Sequence, residues 1–116
     1  MYEYAATVER VVDGDTVKLD VDLGFSIRQR MTLRLHGINA PETVGATKAA
    51  GEAAKAFLES LLPVGLAVRV ETLKDKGDKY GRILARVWLL DESIPGNSRL
   101  VNARMIEAGH AVEYKP

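Results

Sequence analysis

Cysteine is absent from the 116 residues, which excludes disulfides and thiolate metal sites but fits either redox compartment. Only two histidines are present, too few to make zinc an attractive cofactor. Sixteen basic side chains cancel sixteen acidic ones, so no global field draws the chain to nucleic acid or to an anionic membrane. Any binding of phosphate must therefore arise from local arrangement. No apolar run approaches the roughly 18 residues of a membrane-spanning helix, and Met1-Tyr2-Glu3-Tyr4 carries no basic and hydrophobic leader. A soluble protein without a membrane partner is expected, its cellular address left open between secreted and cytoplasmic. Internal repeats and low-complexity segments are also missing.

A chain of this length is expected to form one domain over residues 1–116, burying roughly two thirds of its unfolded surface. Its patterning is mostly that of strands. Tyr4, Ala6 and Val8 alternate with polar neighbours along a strand from Tyr2 to Val12, and the phase slips at Val11-Val12, where a bulge is expected. Asp13-Gly14 supplies a hairpin turn, with glycine offering cheap positive φ. Val17, Leu19, Val21 and Leu23 then alternate with Thr16, Lys18, Asp20 and Asp22. Extending that parity backwards sets Asp15 on the apolar side, where a carboxylate belongs only at a barrel mouth or at considerable cost.

The third strand places Ile27, Gln29, Met31, Leu33 and Leu35 on one parity and Arg28, Arg30, Thr32, Arg34 and His36 on the other. Gly37 lets it turn and Pro41 cannot donate to a ladder, so it should stop near Ile38 and display Asn39 and Glu42 on a corner. Residues 43–50 read as a loop. Residues 51–62 read as a helix with a stripe of Ala53, Ala54, Phe57, Leu58 and Leu61, ended by Pro63-Val64-Gly65. Residues 66–72 alternate as a fourth strand, Lys74 to Lys79 reads as a charged loop, and Ile83 to Leu90 is an apolar strand expected to be buried on both faces. Ser98 can cap a second helix from Arg99 to Ala108, which Gly109 would stop, and a short extended tail follows. The fold class is mainly β (α+β): a five-stranded Greek-key barrel of the OB-fold type with two packed helices.

Five separated runs resemble the staphylococcal nuclease-like, or thermonuclease, family. They are Val11-Val12-Asp13-Gly14-Asp15-Thr16-Val17, the run from Leu33 to Glu42, Gly51-Glu52-Ala53, Asp78-Lys79-Tyr80-Gly81-Arg82, and Leu100-Val101-Asn102-Ala103 with Glu107-Ala108-Gly109. The resemblance covers essentially the whole chain in order. It implies an OB-fold hydrolase of DNA and RNA phosphodiesters that uses calcium and leaves 3′-phosphate ends. It further implies Asp15, Asn39 and the Ala40 carbonyl as metal ligands, Glu42 as the base for the attacking water, Arg34 and Arg82 on the reacting phosphate, and Lys79 and Tyr80 beside the nucleotide. Single-stranded substrate and a monomeric protein are expected.

The chemistry of these residue types agrees with those roles. Charge develops on the non-bridging oxygens of a phosphodiester under attack, and two planar guanidiniums with a divalent cation stabilise it. Oxygen ligands suit a hard cation. Asn39 departs from the pattern, because the family's best-known member has an aspartate there and continues into a further helix beyond the stretch matching Tyr114-Lys115-Pro116. Losing one charge about 4 Å from a cation at an effective dielectric of about 20 costs at most roughly 4 kcal/mol, so weaker calcium binding is expected. The alternative is a non-catalytic OB-fold module that binds nucleic acid or protein. His36 and His110 read as surface or capping residues, and Trp88 reads as core with Leu84 and Leu90.

Overall fold

The computed structural model describes residues 2–77 and 82–115. Along the chain run β1 (Tyr2–Asp13), β2 (Thr16–Gly24), β3 (Ile27–Leu35), β4 (Ile38–Asn39), α1 (Lys48–Leu61), β5 (Ala67–Gly77), β6 (Ile83–Leu89), α2 (Val101–Glu107) and β7 (Val112–Glu113). One 3₁₀ turn, Gly45–Thr47, precedes α1 and another, Gly96–Ser98, precedes α2. Five strands close a barrel in the order β1-β2-β3-β6-β5, the expected OB-type architecture with two helices. All its neighbours are antiparallel except β3 and β6, which run parallel with Leu33 opposite Ile83 and Leu35 opposite Ala85.

Period-two alternation fills the barrel. Val8, Val17, Leu19, Val21, Leu33, Leu35, Val68, Val70, Ala85 and Val87 are all buried and point to one interior. Ala6 faces Val21 and Val8 faces Leu19 across β1 and β2, and the register slips between Val11 and Asp13, as the phase change at Val11-Val12 predicts. A second slip lies between Val8 and Arg10. α1 packs on β1 and α2 on β6, closing the core with Ala54, Leu58, Val101 and Met105.

Several boundaries differ from the sequence reading. β3 ends at Leu35 rather than near Ile38, because Gly37 takes φ +83° and the chain re-enters as the two-residue β4. The terminal stretch is not a free tail: β7 pairs with β4, and the Tyr114 amide donates to the Gly37 carbonyl at 2.8 Å. α1 begins at Lys48, inside the expected loop, and its buried positions are Gly51, Ala54 and Leu58, with Ala53 exposed. β5 continues through Gly77, so part of the charged run from Lys74 is strand. On β6 burial alternates, and Leu84, Arg86 and Trp88 are half-buried on the outer face. Leu90 is exposed rather than core. Ser98 caps nothing: α2 starts at Val101 with Leu100 at its N-cap, and Gly109 ends it at φ +78°.

Between β6 and α2 the long loop is tied down by Asp91, whose Oδ1 accepts from the Ser93 amide at 2.9 Å and the Ser93 hydroxyl at 2.7 Å. The hydroxyl bond first, then the amide, hold this carboxyl below the usual carboxylate range. No helix among the described residues is long and apolar enough to cross a membrane.

Candidate functional site

The β1–β2 turn delivers Asp15 to the barrel rim. Gly14 was expected to supply positive φ there, but its φ is not in that region, and close approach explains it instead. A Cβ on Gly14 would stand 2.8 Å from the Ala54 Cβ and 2.9 Å from the Ala40 Cβ. The hairpin can therefore press directly onto α1 and onto the corner that follows β4.

That pressure brings Asp15 against the corner. Asp15 Oδ2 accepts from the Ala40 amide at 3.0 Å, and Oδ1 accepts from the Thr16 hydroxyl at 3.1 Å. Its side chain is only 13% exposed, so the parity argument for a carboxylate at the mouth of the barrel holds. A buried carboxylate needs such partners and a cation. The cation is Arg34, 12% exposed, whose Nη2 lies 3.6 Å from Asp15 Oδ2 and donates to Asn39 Oδ1 at 3.2 Å. The Arg34 guanidinium also lies 5.5 Å from the centre of the Tyr114 ring, which the β4–β7 pairing brings to the site.

Arg82 stands immediately before β6, the strand paired with β3. It donates from Nη1 to the Thr16 hydroxyl at 3.1 Å, so Thr16 links the second guanidinium to the same carboxylate. Sequence reasoning placed Thr16 on the outer parity and missed this bridge; its position next to Asp15 was the only signal. It also gave Asn102 no role. Asn102 is buried on α2, accepts from the Val87 amide at 3.1 Å, and donates to the carbonyls of His36 at 2.9 Å and Ala85 at 3.0 Å. An amide between buried Val101 and Met105 on an apolar helix face was the signal for such a linker.

Glu42 sits two residues beyond Ala40 on the same corner. It is exposed, and among the described residues its carboxylate takes no hydrogen bond or ion pair. Its backbone, by contrast, is tightly held, with the Thr47 hydroxyl donating to its carbonyl at 2.9 Å and Gly51 of α1 packed on its peptide. The structure thus gathers Asp15, Arg34, Asn39, Ala40 and Arg82 into one connected network, with Glu42 beside it. Lys79 and Tyr80 lie outside the described residues.

The side-chain donors at the network are oxygens, one from a carboxylate and one from an amide. Among the described residues no group of three or more His, Cys, Asp or Glu side chains gathers in a metal-binding arrangement. The single buried carboxylate is offset by the two guanidiniums, so these side chains alone carry net positive charge; the oxygen donors present are of the hard type that suits calcium or magnesium rather than zinc. His110, read as a cap or surface group, stacks on Phe57 with ring centres 4.9 Å apart, away from this chemistry.

Comparison with known proteins adds an independent line. The family model described as staphylococcal nuclease homologue matches residues 32–116. A thermonuclease of Staphylococcus intermedius is 42% identical over 88 residues, covering 73% of this chain and 49% of the relative. Protein ParB of Escherichia coli is 37% identical over 117 residues, covering 97% of the chain and 59% of that protein. A thermonuclease of Staphylococcus hyicus is 38% identical over 90 residues, covering 75% and 50% respectively. The chain therefore spans about half the length of these relatives. A family match running from within β3 through residue 116, together with relatives 42% and 38% identical over about three quarters of the chain, settles kinship: the chain belongs to the staphylococcal nuclease homologue family.

Proposed function

We propose that the protein is a calcium-dependent nuclease that hydrolyses phosphodiester bonds of DNA and RNA, acts on single-stranded substrate as a monomeric single domain, and leaves 3′-phosphate ends. One observation carries the reading: two guanidiniums far apart in the sequence, on β3 and just before its neighbour β6, converge on one buried carboxylate, Arg34 at 3.6 Å and Arg82 through the Thr16 hydroxyl. A binding protein for neutral ligands has no use for that arrangement, whereas a phosphoryl group gaining charge needs it.

Arg34 and Arg82 each have a planar fork suited to the non-bridging oxygens of a phosphate entering between them. Glu42, exposed at the corner, takes the proton of a solvent water as that water attacks phosphorus in line with the departing 5′ oxygen. Asp15, Asn39 and the Ala40 carbonyl would hold calcium, which when bound supplies a Lewis acid for the phosphoryl oxygens. Lys79 and Tyr80 are assigned to the nucleotide by the family resemblance alone.

The test is digestion of single-stranded DNA and of RNA across a calcium titration, with chelator and Glu42→Ala as controls. The expected result is calcium-dependent cleavage that Glu42→Ala reduces by at least roughly 100-fold, the low end for general-base catalysis. Absence of cleavage at every calcium level, with oligonucleotide binding retained, would instead favour the OB-fold binding module. The amide at Asn39, already engaged by Arg34, is the observation that keeps that second reading alive.

A further inference from the structure

Glu42 is exposed and its carboxylate makes no hydrogen bond among the described residues, so none of their side chains holds it directly. Where that carboxylate stands is decided by where its backbone stands. The backbone is clamped from two sides. Thr47, in the 3₁₀ turn before α1, donates its hydroxyl to the Glu42 carbonyl at 2.9 Å. Thr43, the next residue, donates its hydroxyl to Asp13 Oδ1 at 3.2 Å, tying the corner to the end of β1.

The third contact is steric. Gly51 is buried in the first turns of α1, and a Cβ there would stand 2.8 Å from the Thr43 amide nitrogen and closer still to the carbonyl carbon and oxygen of Glu42. Heavy atoms in contact normally sit about 3.5–4.0 Å apart, so any side chain at 51 must push the Glu42–Thr43 peptide outward by on the order of 1 Å. Gly51 has no positive φ to explain it and lies within α1, where glycine costs up to roughly 1 kcal/mol relative to alanine. Its use there is explained by the approach it permits.

We infer that Gly51 is a positioning residue for catalysis: by letting α1 lie directly on the Glu42–Thr43 peptide, it sets the distance of the Glu42 carboxylate from the phosphate held between Arg34 and Arg82. The inference rests on the assignment of Glu42 as base. A displacement of about 1 Å in a reacting group can cost on the order of 100-fold in rate, and the arginines that bind substrate are not on the displaced segment.

Gly51→Ala is therefore expected to lower kcat on a single-stranded DNA oligonucleotide by about 100-fold while KM changes less than about twofold. Its decisive control is Gly51→Ala combined with Glu42→Ala. If Gly51 acts through Glu42, the double variant is no slower than Glu42→Ala alone. Should the two losses multiply, or the Gly51→Ala loss fall on KM, the inference is overturned. Thr47→Val, which removes only the hydroxyl on the Glu42 carbonyl, is expected to give a smaller loss with the same lack of additivity, and it serves if Gly51→Ala does not fold. Amide NMR shifts supply a readout independent of turnover: those of Glu42 and Thr43 should move in either variant, and unmoved shifts overturn the positioning claim. A wild-type protein that cleaves nothing would sink the nuclease reading, and the NMR shifts would then judge the positioning claim alone.

Discussion

Asn39 is the residue on which the chemistry of the rim turns. Its Oδ1 accepts from Arg34 at 3.2 Å while Asp15 Oδ2 lies 3.6 Å from the same guanidinium nitrogen, so Arg34 bridges the two oxygens that a cation would use. Asn39→Asp adds a second carboxylate there, and a calcium titration by calorimetry should show affinity rising by about tenfold. That is well under the roughly 4 kcal/mol of bare Coulomb attraction at about 4 Å, because the new charge also strengthens the pair with Arg34 that calcium must displace. Unchanged affinity would remove Asn39 from the ligand set. Asn102 offers a second test of a single side chain. Replacing it by alanine strands the buried Val87 amide and takes a donor from the His36 carbonyl, while the Ala85 carbonyl keeps the His36 amide at 2.8 Å; with each unsatisfied buried group costing roughly 1–3 kcal/mol, a thermal melt should fall by on the order of 10 °C. Asp15 was legible at the rim from its parity, whereas Arg34 and Arg82 were legible only through the family resemblance. Thr16 and Asn102 were not, since a hydroxyl or amide has no periodic signature and one partner of each lies 66 residues away.

At the scale of elements, strands were easier to foresee than their ends. Alternating Val, Leu and polar residues fix which face is inward, but a stop depends on local chemistry. Gly37 ended β3 three residues early, and the pairing of β7 with β4 was invisible because two residues carry no pattern. β6 misled for a physical reason: an unbroken apolar run predicts burial on both faces, yet Arg69 lies 5.3 Å from the Trp88 ring centre and covers its outer face with a cation. The β2–β3 turn is the least economical element. Phe25 and Ser26 both take positive φ, 54° and 61°, and Phe25 is 97% exposed. Left-handed backbone costs a non-glycine residue roughly 1–2 kcal/mol, and asparagine-glycine is the cheap solution for such a two-residue hairpin. Exchanging Phe25-Ser26 for Asn-Gly should therefore stabilise the fold by about 1–2 kcal/mol in chemical denaturation, with the slope of the transition unchanged. A loss of stability would mean that the aromatic ring packs on something in the native state.

For the molecule as a whole, the balance of sixteen basic and sixteen acidic side chains sets how substrate is attracted. A protein that binds nucleic acid through a general basic surface releases many counterions, and its affinity collapses with salt. Here the ion pairs of Arg28 with Asp20 and Asp22, Arg30 with Glu9, Arg69 with Glu3 and Arg86 with Glu71 leave those arginines already matched on the surface. If only Arg34 and Arg82 engage phosphates, the logarithm of affinity for single-stranded DNA should fall against the logarithm of salt with a slope of about −1.4, two contacts at about −0.7 each. Between 50 and 200 mM salt that is only about a sevenfold weakening. Fluorescence anisotropy with a labelled oligonucleotide and Glu42→Ala protein, expected to bind without cutting, measures this directly. A slope steeper than about −4 would mean that at least six cationic groups meet the strand, and the binding surface would then have to extend well beyond the rim into the Lys74–Lys79 run. A slope near −1.4 would instead place recognition at the two arginines, making the neutral composition a reason for tight local selection rather than an argument against a polyanionic substrate.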